Sequence, residues 1–272
     1  MTLLLARHGQ TAWNASRRFQ GSTDIELSER GRAQAAALGR ALATRRLAAV
    51  YVSPLQRARE TAALVLAARG KFHVMSAISR GQRTEERLGF PGALPSEGGM
   101  GGEAGPPIRA PRTTEERLGF PGALPSEGGM GGEAGPPILL DALRELSLGE
   151  WEGRTVDEIR SQDGDPYLAW LRAPHDCLPP GGEPLDRVAS RVRQAFERIA
   201  AAHAAEEEVL VIAHGGVISV YACYLLGSSF NSLWRLRVDN CSLTVIKPPR
   251  LVSINDTSHL AAELTGQHLT RA

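Results

Sequence analysis

Two apolar runs in this chain end in the same way. Residues 2–6 (TLLLA) lead into Arg7-His8-Gly9, and residues 209–213 (VLVIA) lead into His214-Gly215-Gly216. A third run, AAVYV at 48–52, ends at Ser53-Pro54, with Arg57 one helical turn further on. Imidazole can act as a nucleophile or carry a proton near neutral pH. Guanidinium offers a planar fork of donors that matches two phosphoryl oxygens and keeps its charge. Glycine after each histidine lets the backbone turn sharply and come close to a ligand. Taken singly, a histidine at a strand end is more often a hydrogen-bonded structural residue, and Arg57 reads as a solvated helix residue. Two histidines and two arginines converging at strand ends make an electropositive pocket with a nucleophile, and that suits phosphoryl groups.

The pocket requires the apolar runs to be strands of one sheet, since ligand sites in parallel sheets gather beyond the carboxyl ends of strands. Residues 2–6, 48–52 and 209–213 read as buried strands, with a weaker strand at 72–75 and a further element at LLDAL, 139–143. Helical patterns run from Ser28 to about Arg45, from Pro54 at a first helical turn to about Arg69, near 155–172, near 184–205 and after Gly216. Segments 242–246 and 250–254 read as closing strands able to pair as an antiparallel hairpin. Strands separated by helices of this length predict an α/β fold with a mostly parallel sheet.

The 272 residues include 29 glycines and 17 prolines, and the excess is local. Residues 84–108 (TEERLGFPGALPSEGGMGGEAGPPI) recur without a substitution as residues 114–138, so 84–138 holds 14 of the glycines and 9 of the prolines. Two copies are too few for a solenoid. Such a composition has little apolar area to offset the entropy of ordering, which predicts an irregular surface excursion. The remainder, about 217 residues, has the size of one domain. The chain is thus expected to be a single domain, 1–272, interrupted at about 76–138.

Lys plus Arg is 31 and Asp plus Glu is 30, a formal net charge of +1, which argues against nucleic-acid or anionic-membrane binding. Cys177, Cys223 and Cys241 are too scattered for a disulfide framework or a zinc site. No run approaches the length of a membrane span, and the chain reads as soluble and cytoplasmic. Gly99-Met100-Gly101-Gly102-Glu103-Ala104 has the letters of a dinucleotide fingerprint. No strand precedes it and Pro106-Pro107 follows it, so it is rejected. His175-Asp176-Cys177 lies between prolines with no fourth metal ligand nearby, and Glu206-Glu207-Glu208 reads as a solvated turn.

RHGQTAWN (7–14), RFQG (18–21), D-x-x-LSERG (24–31), SPLQRARETA (53–62), LRELSLGEWEG (143–153) and VIAHGG (211–216) together resemble the histidine phosphatase superfamily, the branch of cofactor-dependent phosphoglycerate mutases and related phosphatases. The resemblance implies a three-layer α/β/α, phosphoglycerate mutase-like fold. It implies His8 as the nucleophile that becomes a phosphohistidine, with Arg7, Arg57, His214 and Asn14 binding the phosphoryl oxygens. Glu145 would be the acid that protonates the leaving oxygen, although Glu150 and Glu152 lie close by. Gln20 and Gly21 are implied at the substrate. His8 must be neutral to attack, whereas His214 could serve as a charged donor. Neither a metal nor a cofactor is implied. Trp151, Tyr167 and Trp170 are candidates to touch the leaving group, with core packing as the equal alternative.

SLGEWEGRT after the acid, followed by PGGEP at 180–184, looks like the phosphatase branch, including broad-specificity and α-ribazole phosphatases. The expected activity is metal-independent hydrolysis of a small phosphorylated metabolite. A phosphoglycerate mutase and a non-catalytic phospho-ligand binder are the alternatives, and either a monomer or a homodimer is compatible. Surface loops change length at small entropic cost. Deleting residues 84–113, which removes one repeat, should therefore leave the turnover of a small phosphomonoester within a fewfold range; a large loss would mark the segment as part of the site.

Overall fold

A computed structural model describes residues 1–69, 135–162 and 164–265. Six strands form one sheet: β1 (Thr2–Arg7), β2 (Leu47–Val52), β3 (Ile138–Leu139), β4 (Glu208–Ala213), β5 (Leu243–Lys247) and β6 (Arg250–Asp256), in the order β3-β2-β4-β1-β5-β6. β1 and β2 both pair parallel with β4, and β2 pairs parallel with β3. β5 and β6 add an antiparallel hairpin at the other edge, as the closing segments predicted.

Successive side chains of a strand point to opposite faces. Leu3, Leu5, Tyr51, Val209 and Val211 therefore enter one apolar cluster, with α6 (Leu185–Ala201) and α7 (Gly215–Leu225) over them. Leu4, Ala6, Val50, Val52, Leu210 and Ile212 enter the other, covered by α2 (Glu29–Ala41) and α3 (Gln56–Ala68). The three buried strands are apolar at nearly every position because both faces are covered. This is the three-layer α/β/α arrangement with a mostly parallel sheet.

Several boundaries differ from the sequence expectation. The short helix α1 spans Ala12–Ala15, and the helix expected near 155–172 is two short ones, α4 (Val156–Arg160) and α5 (Pro166–Arg172). Gly164 and Asp165 have positive φ and break the run, and the Asp165 carboxylate then accepts the Leu168 N–H to start α5. Pro54 does not occupy a first helical turn. α3 begins at Gln56, whose N–H reaches Asp24 Oδ1 (2.5 Å), because Ser53 to Leu55 form a turn at the pocket. LLDAL is a two-residue strand followed by a 3-10 turn, Asp141–Leu143. Helices α2 and α6 end at Ala41 and Ala201, about four residues before expected, and α7 starts at Gly215 rather than after Gly216. Glu208 lies in β4 and pairs with Arg45 (2.7 Å), so the acidic trio is more than a solvated turn. The expected strand at 72–75, the first repeat and the second as far as residue 134 lie outside the described residues. No helix among the described residues is long and apolar enough to cross a membrane.

Helices α2 and α3 touch most closely at Gly39. A Cβ there would lie 2.5 Å from the Val65 carbonyl oxygen and 2.7 Å from Ala68 Cβ. Glycine-to-alanine in a helix ordinarily gains up to about 1 kcal/mol. Here Gly39→Ala should instead destabilise by about 1–3 kcal/mol through overpacking, as read by chemical denaturation.

Candidate active site

Strand register builds the site. Arg7 lies beside Ala213 and Val52 beside Ile212, so β1, β2 and β4 end at one level of the sheet. The chain leaves each strand with one more ladder-like bond, His8 N–H to the Ala213 carbonyl and Ser53 N–H to the Ile212 carbonyl (both 3.0 Å). His8 and His214 are thus neighbours, their ring centroids 5.2 Å apart.

His8 Nδ1 lies 2.7 Å from the Gly9 carbonyl oxygen. A carbonyl can only accept, so the proton is on Nδ1 and Nε2 carries the lone pair. Arg57 Nε–H points at that Nε2 (3.3 Å). The other two Arg57 nitrogens donate to the carbonyls of Thr23 (2.8 Å) and Gly21 (2.7 Å), which fixes the guanidinium. Burial lowers the Arg57 pKa to about 10, against the pull of Glu145 and Asp24. Arg7 sends NH1 to the Val238 carbonyl (2.7 Å), while its buried Nε has no partner.

His214 Nε2 lies 2.7 Å from Ser53 Oγ, and its buried Nδ1 has no protein partner. The Leu55 N–H points at the same hydroxyl oxygen (3.4 Å), which keeps a second lone pair and its own proton, so Ser53 can partner either tautomer of His214. Burial, reinforced by the charge of Arg57, holds both imidazoles well below the ordinary value of 6.5. The expectation of a charged His214 is therefore corrected. In the free protein it is a neutral donor, because a cation there would be desolvated beside two guanidiniums.

Glu145 follows the 3-10 turn after β3. Its Oε1 accepts the Leu146 N–H (3.0 Å) and its Oε2 accepts the Gly216 N–H (3.2 Å) at the start of α7. Burial raises its pKa above the ordinary carboxylate value, outweighing Arg57 and these two amides. A Cβ on Gly216 would lie 2.5 Å from Glu145 Oε1, so only glycine admits the carboxyl here. Asn14 uses Oδ1 to accept from the N–H and hydroxyl of Thr11 (3.1 and 3.2 Å), which leaves its NH₂ group for the cavity.

Arg7, His8, Asn14, Gln20, Gly21, Arg57 and Glu145 all line one cleft of about 790 Å³, counted out to its open mouth. Tyr167 and Trp170 line it too, whereas Trp151 packs behind them in the core. Glu150 is exposed, and Glu152 serves elsewhere. His175 is at the surface beside Asp186, and among the described residues no three His, Cys, Asp or Glu side chains converge as metal ligands would.

Three supporting residues gave no signal in the sequence beyond their place in or near a motif. Glu152 accepts from Ser22 N–H (3.0 Å), the Thr23 hydroxyl (2.6 Å) and Leu148 N–H (3.0 Å). It thereby ties down the loop whose carbonyls hold Arg57. Those bonds outweigh its burial and lower its pKa. Asn240 Nδ2 donates to the His8 carbonyl (3.0 Å). Arg191, on α6, pairs bidentately with Glu183 (3.0 and 2.8 Å) and sends NH1 to the carbonyls of Ala142 (2.7 Å) and Arg144 (2.8 Å). It grips the backbone just before Glu145.

Residues 3–80 and 129–256 match the sequence profile of the histidine phosphatase superfamily (branch 1). The chain belongs to that superfamily. Phosphoserine phosphatase 1 of Hydrogenobacter thermophilus is 25% identical over 262 residues, spanning 95% of this chain and 93% of that protein. Glucosyl-3-phosphoglycerate phosphatase of Mycobacterium tuberculosis is 27% identical over 278 residues, spanning 89% and 96%. A probable phosphoglycerate mutase, GpmB, of Erwinia tasmaniensis is 25% identical over 269 residues, spanning 96% and 95%. Among solved structures, Bacillus stearothermophilus YhfR superposes with a TM-score of 0.65 at 28% identity, covering 95% of this chain and 98% of that one. Fold, family and relatives together define a phosphoric monoester hydrolase of the histidine phosphatase type.

Arg191 and Glu183 are both mostly buried, so removing one partner strands the other. Arg191→Met should cost about 3 kcal/mol of stability. Arg191→Lys should recover only part of it, since an ammonium cannot hold a carboxylate and two carbonyls in one plane. Denaturant unfolding of the two variants checks both statements.

Proposed function

We propose that the protein hydrolyses small phosphomonoesters through a phosphohistidine on His8, without a metal ion. The observation that carries this reading is the state of two groups on the walls of one cleft. One is an imidazole whose Nε2 lone pair is free of a proton beside Arg57. The other is a carboxyl whose pKa burial raises above the ordinary carboxylate value, the direction a proton donor needs. Nε2 attacks phosphorus as the ester P–O bond breaks, and Glu145 gives its proton to the departing alkoxide. The Glu145 carboxylate then takes a proton from water, whose oxygen attacks phosphorus and breaks the P–N bond, releasing inorganic phosphate. Arg7, His214 and the Asn14 NH₂ would donate to the phosphoryl oxygens, and Arg57 adds its fixed positive charge. Gln20 and Gly21 bound the substrate on the opposite wall. Residues 1–272 form one such domain, interrupted at about 76–138, and the two matched stretches, 3–80 and 129–256, reach into the ends of that interruption.

Rapid quenching with a radiolabelled phosphomonoester should trap an acid-labile, base-stable phosphoenzyme. His8→Ala should abolish it and lower phosphate release about 10³-fold or more, with the fold intact. Retained turnover would sink the mechanism. Interconversion of 3- and 2-phosphoglycerate much faster than phosphate release would make the protein a mutase, and phosphate-ester binding without turnover would make it a binder.

The reactive form needs His8 neutral and Glu145 protonated. His8 stays neutral to well below pH 6.5, and Glu145 stays protonated above pH 4.5. The kcat/KM profile should accordingly lack the acid-side rise that an ordinary imidazole gives near 6.5. Glu145→Gln should remove the alkaline limb and lower kcat on alkyl phosphates about 10²–10⁴-fold.

A further inference from the structure

The cleft changes character with distance from the histidines. Beyond the arginines its wall is aromatic: Phe19 before β2, Tyr167 and Trp170 on α5, and Trp234 in the 3-10 turn Phe230–Arg235. Phe19, Tyr167 and Trp170 are buried and hold one another edge to face, with Phe19–Trp170 and Phe19–Tyr167 centroids 5.8 and 5.9 Å apart. Trp234 is half-buried and lies against Trp170, with centroids 4.5 Å apart. Leu236 and Val238 continue the apolar surface below it.

Charge is confined to the other end. Among the described residues the cations lining the cleft are Arg7 and Arg57, beside the neutral His8. All three Arg57 nitrogens are bonded within the protein, and Arg7 is tied to Val238. A second anionic group on the substrate would lose water against the aromatic wall, whereas a ring would gain contact with preformed rings of matching geometry. Gln20 Oε1 and Trp234 Nε1, both on residues of this wall, lack a protein partner.

We infer that the preferred substrate is the phosphomonoester of an uncharged, ring-bearing alcohol, selected by the Phe19–Tyr167–Trp170–Trp234 wall. The inference rests on the phosphatase reading and narrows it, away from carboxylated esters such as phosphoserine.

Alkyl esters with comparable leaving groups test it without the intrinsic reactivity of aryl phosphates. We expect kcat/KM for 2-phenylethyl phosphate to exceed that for ethyl phosphate and O-phosphoserine by about tenfold or more, mainly through KM. Trp234→Ala should shrink the phenylethyl-to-ethyl ratio about fivefold or more, and Trp234→Phe should keep most of it. Equal or better turnover of phosphoserine or 3-phosphoglycerate would overturn the inference while leaving the phosphatase reading intact. So would a ratio unmoved by Trp234→Ala. Failure to hydrolyse any of the esters would instead overturn the phosphatase reading beneath it.

Discussion

Two guanidinium groups held away from water beside two imidazoles set the terms for everything else in this protein. Arg7 and Arg57 are held in the interior, and burial lowers the pKa of each. Isolated charges in such a place are costly, so the surrounding chain supplies compensation at several distances. Glu145 and Asp239 draw on Arg7, and Glu145, Asp24 and Glu152 on Arg57. The histidines respond in the other direction. Neither can take a proton cheaply, so His8 keeps its lone pair. One arrangement of charge thus makes the pocket attractive to a phosphate dianion and keeps the His8 Nε2 lone pair free of a proton.

Such a pocket depends on loops, and loops need fastening. Glu152 gathers Ser22, Thr23 and Leu148 around one carboxylate, and the carbonyls of Gly21 and Thr23 in that loop are what hold Arg57. Asn240 holds the His8 carbonyl. The phosphate-facing groups therefore sit one hydrogen bond away from residues that never face the cleft. Placement to a fraction of an ångström is what makes positioned charge effective in catalysis.

The sheet was legible in the sequence because its three central strands are buried on both faces and read as unbroken apolar runs, each ending in the residue that faces the site. Ser28 was legible as a helix cap because its role is local. What was lost has causes of two kinds. The break at Gly164-Asp165 is local, with both residues at positive φ and Asp165 capping a new helix ahead of Pro166, and it overrides a pattern that favours one helix. The others are long-range. The turn at Ser53–Leu55 is set by His214, which is 161 residues away. The neutral state of His214 follows from charges brought in by β1 and α3, and no local pattern encodes it. Arg191 looked like one charged residue among many on an amphipathic helix. Only the fold shows that three of its hydrogen bonds grip the backbone at residues 142–145 while two hold Glu183.

The same fastening holds the chain on both sides of the duplicated stretch, between α3 and β3 in sequence. On the near side, Arg69 caps α3 and bonds the carbonyls of Leu42 (2.6 Å) and Arg45 (2.8 Å). On the far side, the chain rejoins the sheet at its edge, where Ile138 and Leu139 pair with Tyr51 and Val52 and the Leu140 N–H bonds the Val52 carbonyl (2.9 Å). Arg191 then clamps residues 142–144 before Glu145 is reached. A change in chain length upstream alters loop-closure entropy only slowly. It meets two anchors before it can move the carboxyl. The position of Glu145 is thus set by α6 and α7, which follow Glu145 in the chain, whereas the duplicated stretch precedes it.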